Sequence, residues 1–264
     1  MSISSSTQPN KQEQLAAMRE FGNNTSARLP VLFLLDASSS MNGIVRGDNQ
    51  HILRQEYSDG INWNIVTGDN LVTRMDELNA GFQRFVSDIL ADPLAKLAAD
   101  VAVITFARTV ATVKEFGPIR ESDTGLKIST SRENETLLGE AVELALSELD
   151  SRKRTYRAHG VEFYQPWLVV MTDGVPTSAR HRELEGRLKV LTASRKLSVF
   201  VFGIGRADLS ELCSISPGRP PMQVNEQKFP ELFAWLSRSV HTVSMSMPGD
   251  GVSLTPLPED VWQV

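Results

Sequence analysis

Leu29-Pro30-Val31-Leu32-Phe33-Leu34-Leu35-Asp36-Ala37-Ser38-Ser39-Ser40 is an apolar run that stops in a D-x-S-x-S cluster. An uninterrupted Val/Leu/Phe run of this length reads as a strand buried on both faces, as in a parallel sheet covered by helices. In open α/β sheets, ligands bind in the crevice outside the carboxyl ends of the strands. Here that end carries the carboxylate of Asp36 and the hydroxyls of Ser38 and Ser40 at alternate positions. These are hard oxygen donors, suited to a divalent cation such as Mg²⁺, with Mn²⁺ or Ca²⁺ as further candidates, and unsuited to soft metals.

Three side chains make an incomplete cage, and two downstream segments offer more oxygen ligands. Trp167-Leu168-Val169-Val170-Met171-Thr172-Asp173-Gly174 repeats the design, an apolar strand ending in Thr-Asp-Gly. Between the two strands, Glu135-Thr136-Leu137-Leu138-Gly139-Glu140-Ala141 places Thr136 just ahead of a helical pattern, where its hydroxyl either caps the helix or faces a metal.

In order, Asp36, Ser38, Ser40, Thr136 and Asp173 resemble the metal-ion-dependent adhesion site of von Willebrand factor A domains. The segments Thr172-Asp173-Gly174-Val175-Pro176-Thr177, Phe202-Gly203-Ile204-Gly205 and Leu232-Phe233-Ala234-Trp235-Leu236-Ser237-Arg238-Ser239-Val240 look like the bacterial TerY-like branch of that family. That branch is associated with tellurite resistance and related stress islands. The chain departs from the family pattern at Ser39, where glycine is usual, at Glu133-Asn134-Glu135, where glycines precede the threonine, and at Ala107, where an acidic residue is common.

The resemblance implies that Ser38, Ser40 and Thr136 touch the ion directly, while Asp36 and Asp173 act mainly through water and by orienting the hydroxyls. Mg²⁺ keeps near-octahedral oxygen coordination and retains waters, which leaves a position for a carboxylate of another protein. It also implies a non-enzymatic module for protein–protein interaction in a bacterial stress or phage-defence response. The implied partners are protein-kinase-like and PP2C-like metal-dependent phosphatase proteins of the same system.

The competing chemistry is a metal-dependent phosphohydrolase using Asp36 as nucleophile, as in haloacid-dehalogenase-like phosphatases. That reaction needs a second acid two residues on, and position 38 is serine. His51, His159, His181 and His241 show no metal-ligand spacing, and no G-x-S-x-G elbow anchors a serine triad. Gly203 and Gly205 lack the third glycine of a dinucleotide fingerprint, since Asp208 stands there.

The chain has 264 residues, 41% hydrophobic and 22% charged, an ordinary composition for one large α/β domain with extensions. A net charge of −5 argues against a nucleic-acid partner. The basic stretch Arg152-Lys153-Arg154-Thr155-Tyr156-Arg157 reads as the solvated end of a helix. A single cysteine, Cys213, excludes an intrachain disulfide, and no apolar run approaches the ~20 residues of a membrane span. The N-terminus lacks the charged-then-apolar order of a signal peptide, so the expected location is cytoplasmic, with no membrane partner.

The chain divides into a polar appendage over 1–28 with a short helix at 12–21, the main domain over 29–247 and an extended tail over 248–264 whose Trp262 docks on the core. Apolar periodicity places helices over 73–90, 137–153, 179–196 and 230–244, with a helical turn over 208–213. Strands fall at 29–36, 99–106, 109–116 as an antiparallel edge partner, 167–172, 197–205 and 222–224. Alternating strands and helices give a doubly wound, mostly parallel α/β sheet with helices on both faces. The exception is an insertion over 42–70 that leaves the first metal loop. Its apolar residues Ile44, Ile52, Leu53, Tyr57, Ile61, Trp63 and Ile65 predict local order, serving either partner recognition or packing on the domain's own flank.

Overall fold

The computed structural model describes residues 21–22, 24–58, 61–133, 135–174, 176–205, 207–259 and 261. The expected docking of Trp262 and nearly all of the expected 12–21 helix lie outside them. At the centre, β1 (Leu29–Asp36) pairs in parallel with β4 (Ala99–Phe106) on one side and β6 (Trp167–Thr172) on the other. β7 (Ser198–Ile204) and β8 (Met222–Val224) extend the sheet in parallel beyond β6, and β5 (Val110–Pro118) closes the opposite edge antiparallel to β4. The order β5-β4-β1-β6-β7-β8 puts the topological switch point between β1 and β6, and the register Leu35↔Met171 brings Asp36 and Thr172 to the same crevice.

The apolar run of β1 feeds two cores because successive side chains point to opposite faces. Leu29, Val31, Phe33 and Leu35 enter the core shared with α1 (Arg74–Ala91) and α7 (Phe229–Ser244). Phe33 meets the rings of Phe82, Phe85 and Phe233 at centroid distances of 5.7, 5.2 and 5.7 Å. Leu32 and Leu34 enter the other core, with Leu138, Val142, Ala145 and Leu149 of α3 (Leu138–Ala158). Fully burying each such side chain contributes about 1.5–3 kcal/mol, so both helical layers are fixed by a strand with no polar face. Gly81 of α1 lets this packing close, since a Cβ there would lie 2.4 Å from the Phe233 ring.

α1 begins where the pattern predicts because Thr73 and Asp76 form a capping box: Asp76 N donates to Thr73 Oγ1 at 3.1 Å and Thr73 N to Asp76 Oδ2 at 3.0 Å. Asp92 ends it and caps the short α2 (Pro93–Ala98). The expected 179–196 helix is broken at Leu184 into α4 (Arg180–Glu183) and α5 (Glu185–Ala193), because Leu184 N donates to His181 O in a tightened i−3 bond at 3.3 Å. α6 (Leu209–Leu212) is the expected short turn.

The basic stretch over 152–157 is not simply a solvated helix end. α3 runs on to Ala158 and buries Tyr156. The Tyr156 hydroxyl donates to Asp100 Oδ2, and Arg152 pairs with the same oxygen at 2.6 Å with side-chain exposures of 10% and 1%. A carboxylate this deep requires a fixed cation and donor, which the helix supplies.

The insertion is a long antiparallel hairpin, β2 (Ile44–Ser58) and β3 (Ile61–Thr73), forming a sheet of its own. Its stem is tied down by Arg46 to Glu77 at 2.7 Å and by Gln227 Nε2 donating to Val45 O at 3.0 Å. Further out, Ile52, Leu53 and Tyr57 are 55%, 59% and 74% exposed, so these side chains do not pack on the flank. The tail has no regular structure over 251–258; Val252, Leu254 and Leu257 pack on the core, and Trp235 Nε1 donates to Thr255 O at 2.7 Å. Among the described residues no helix is long and apolar enough to cross a membrane.

Candidate metal centre

Asp36 is the last residue of β1 and is fully buried. Both its oxygens are engaged: Ser38 N donates to Oδ1 at 2.8 Å and Thr172 Oγ1 to Oδ2 at 2.5 Å. The chain then enters a one-turn 3₁₀ segment over Ser39–Asn42, and Ser38 stands at its N-cap position without making a side-chain cap bond. Its hydroxyl is instead 2.8 Å from that of Ser40, and Ser40 Oγ donates to Asp173 Oδ1 at 2.6 Å. The two strand-end motifs, 133 residues apart for this last bond, therefore meet through their side-chain oxygens.

Thr136 does not cap α3. The N-cap position is Leu137, which makes no side-chain cap bond, and Thr136 is 3% exposed. Its backbone is locked to the loop after β6: Thr136 N donates to Thr177 Oγ1 and Thr177 N to Thr136 O, both at 3.2 Å. A Cβ placed on Gly174 would lie 3.0 Å from Thr136 Oγ1 and 3.6 Å from Asp36 Oδ2. The Thr136 hydroxyl and the Asp36 carboxylate thus flank one small space that glycine keeps open. All five sequence-derived residues, Asp36, Ser38, Ser40, Thr136 and Asp173, lie at this end of the sheet.

The electrostatics explain why such a cluster suits a cation. Burial, reinforced by the charge of Asp173 and opposed by the bonds from Thr172 and Ser38, pushes the Asp36 pKa up to about 6. Burial also raises Asp173, against the donors Ser40 and Arg74. Two carboxylates are desolvated side by side, Asp36 among neutral donors and Asp173 beside one guanidinium, and a divalent ion is a further charge that these hard oxygen donors suit. Among the described residues no cluster of three His, Cys, Asp or Glu side chains offers an alternative centre. The burial of Asp36 and the engagement of both its oxygens also leave it poorly placed for nucleophilic attack.

Two participants were not foreseen in the sequence. Arg74, the first residue of α1, places Nη1 3.0 Å from Asp173 Oδ2 and 3.1 Å from the Ser40 carbonyl oxygen. Its Nη2 pairs with Glu226 Oε1 at 2.9 Å. Gly43 and Gly205 wall this guanidinium: a Cβ on Gly43 would lie 2.8 Å from Nη1, and one on Gly205, whose φ is +61°, would lie 2.0 Å from Glu226 Oε1. Arginine after a capping threonine is ordinary on any helix, so the local sequence carries no signal of this role. Thr172, quoted only as part of the Thr-Asp-Gly end, proves to be a donor to Asp36.

The comparisons agree with this architecture. Mussel byssus proximal thread matrix protein 1 superposes with a TM-score of 0.54 at 15% identity, over 87% of this chain and 52% of that one. The chain therefore spans about half the length of that protein. The conserved hypothetical protein BatB from Bacteroides thetaiotaomicron gives 0.52 at 17% identity over 83% and 100% of the two chains. The vWF domain of the type V pili tip protein Mfa5 from Porphyromonas gingivalis gives 0.53 at 9% over 85% and 99%. At these identities the likeness is one of fold. No curated protein sequence matches the chain. The profile of the von Willebrand factor type A domain matches residues 63–233, beginning inside the hairpin and so leaving β1 and its D-x-S-x-S end outside the match. With its sheet order and a matched segment covering more than half its length, the chain belongs to the von Willebrand factor type A domain family.

Proposed function

We propose that this chain is a non-enzymatic, metal-dependent protein-interaction module whose site holds Mg²⁺ and takes an acidic side chain from a partner protein. The observation that carries the reading is the hydroxyl of Ser40, 2.8 Å from Ser38 Oγ and 2.6 Å from Asp173 Oδ1, which joins both strand ends into one cluster of oxygen donors. Ser38, Ser40 and Thr136 would hold the ion, with Asp36 and Asp173 orienting the hydroxyls and balancing its charge. When bound, the ion supplies positive charge and an open coordination position for a carboxylate. The protein's own groups do the rest. Thr172 and the Ser38 amide fix Asp36, Arg74 and Ser40 fix Asp173, and Gly174 keeps the space beside Thr136 clear.

We further propose the TerY-like branch of the family, acting in the cytoplasm in a stress, tellurite-resistance or phage-defence response. The segments Thr172–Thr177, 202–205 and 232–240 support the branch, and the lone Cys213 fits a reducing compartment. The partners that go with this reading are kinase-like and PP2C-like phosphatase proteins, rather than nucleic acid or a membrane. Affinity purification from the native host, with Mg²⁺ and with chelator, tests it. Acidic protein partners retained only with the metal are the expected result, and recovery of the same partners in chelator would overturn the metal-bridged reading.

A further inference from the structure

The two strands of the hairpin are not equally covered. Every residue of β2 from Asp48 to Tyr57 is exposed, whereas Trp63, Ile65 and Val66 of β3 are half-buried. Among the described residues β2 and β3 pair with each other and with no strand of the main sheet. A lone two-stranded ribbon is marginal in water, and further strands are what stabilise it. An open strand edge is also a template for another strand.

One stretch of the β2 edge is suited to that role. The register shifts between Ile44 and Arg46, Arg46 and Asp48, Asp48 and His51, and Ile52 and Arg54 bend the inner part of the strand and spoil it for pairing. From Arg54 outward the ladder to β3 is unbroken, with Arg54↔Ile65, Gln55↔Asn64, Glu56↔Trp63, Tyr57↔Asn62 and Ser58↔Ile61.

This edge is complementary to itself in reverse. Leu53-Arg54-Gln55-Glu56-Tyr57, laid antiparallel on a second copy about a two-fold axis through Gln55, sets Arg54 opposite the partner's Glu56 and Leu53 opposite the partner's Tyr57. Opposite charges and apolar–aromatic pairs directly across a ladder stabilise it, and like charges destabilise it. The register is specified as well, because moving the axis to Arg54 or to Glu56 places two like charges face to face on it. Arg54 and Glu56 already lie together on one side of the strand, Nη2 2.6 Å from Oε1, so two copies close a ring of four alternating charges.

We propose that the outer β2 edge is a self-association surface, on which two copies of this chain join their hairpins into one four-stranded sheet centred on Gln55. The contact is isologous, and its small extent puts it at the weak, transient end of protein interfaces. Antiparallel joining points the two hairpin bases away from each other. Each Ile44 stands about 36 Å from the axis, so the bases lie up to about 70 Å apart and the dimer is elongated.

Sedimentation velocity of the full chain over about 1–500 µM, in chelator so that the metal centre plays no part, tests this. A reversible, elongated dimer is expected. Arg54→Glu or Glu56→Arg alone sets like charges across the axis and should weaken dimerisation about tenfold or more. An equimolar mixture of the two variants should restore it, since every arginine then faces a glutamate, and that restoration also shows that neither variant failed to fold. The proposal is overturned if the wild type stays monomeric throughout, if its dimer is compact, if either single variant dimerises like the wild type, or if the mixture stays monomeric.

Discussion

Arg74 and Asp173, 99 residues apart in the chain, are joined by an ion pair of 3.0 Å in which the carboxylate side chain is fully buried and the guanidinium 22% exposed. The pair places an internal cation at the edge of a site built for an external one. Removing it, as in Arg74→Gln, leaves Asp173, among the described residues, with Ser40 as its remaining side-chain donor. Breaking a buried pair on one side costs up to about 3–5 kcal/mol, and the partial exposure of Arg74 reduces this to about 1–3 kcal/mol. We expect that loss in chelator and a large part of it recovered in millimolar Mg²⁺, measured by chemical denaturation. An equal loss in both conditions would mean that no ion takes over the charge of the guanidinium.

Asp36 gives a pH dependence of defined sign. Its pKa of about 6 in the folded chain lies above the ordinary 3.8, so the folded state holds this proton more tightly than the unfolded state. The resulting stability is fully present below about pH 4 and is lost as pH rises through 6, a difference of about 3 kcal/mol. The metal-free protein should therefore become less stable from pH 4 to 7 through this group, and Asp36→Asn should flatten that dependence. Because the ion needs the carboxylate, the rise in melting temperature produced by Mg²⁺ should be larger at pH 7.5 than at pH 5.

Gly174→Ala probes the space beside Thr136. The added methyl would stand 3.0 Å from the threonine hydroxyl, tighter than ordinary contact, in a loop outside both cores. Calorimetry with Mg²⁺ should show affinity reduced about tenfold or more, while stability changes by about 1 kcal/mol or less. Unchanged affinity would remove Thr136 from the proposed donor set.

The outer hairpin offers a contrast. Ile52, Leu53 and Tyr57 are more than half exposed, so replacing all three by serine should alter stability by no more than about 0.5 kcal/mol per site. Metal affinity should be unchanged. Partner recovery should fall, since exposed apolar and aromatic side chains are the kind that anchor interfaces. Full recovery by the triple variant would assign the hairpin no part in recognition.

The parts of this fold that were legible in sequence are those where burial is uniform or strictly periodic. β1 and β6 read directly because every side chain is buried, and α1 reads because Met75, Leu78, Phe82, Phe85 and Ile89 mark one face and Thr73 with Asp76 mark the start. The hairpin was not legible as strands. Its register shifts between Ile44 and Arg46, Arg46 and Asp48, Asp48 and His51, and Ile52 and Arg54, and the positive φ values at Gly47, Asn49 and Asn70 break the two-residue alternation. The carboxylates and hydroxyls of the site announce themselves by ending strands. Arg74 and Glu226 do not, because only the folded sheet brings a helix start and the segment after β8 to the same loop.

The hairpin also has a mechanical consequence. Fifteen residues of β2 at about 3.3 Å each give an arm of about 50 Å, and a tilt of 10° at its base would carry the far end by about 9 Å. The base is not remote from the metal loops: Ile44 pairs with Thr73, Gly43 O accepts from Arg74 N at 2.9 Å, and Arg74 holds Asp173. Load applied far along the arm is thus delivered, with leverage, to the residue that anchors a carboxylate of the site.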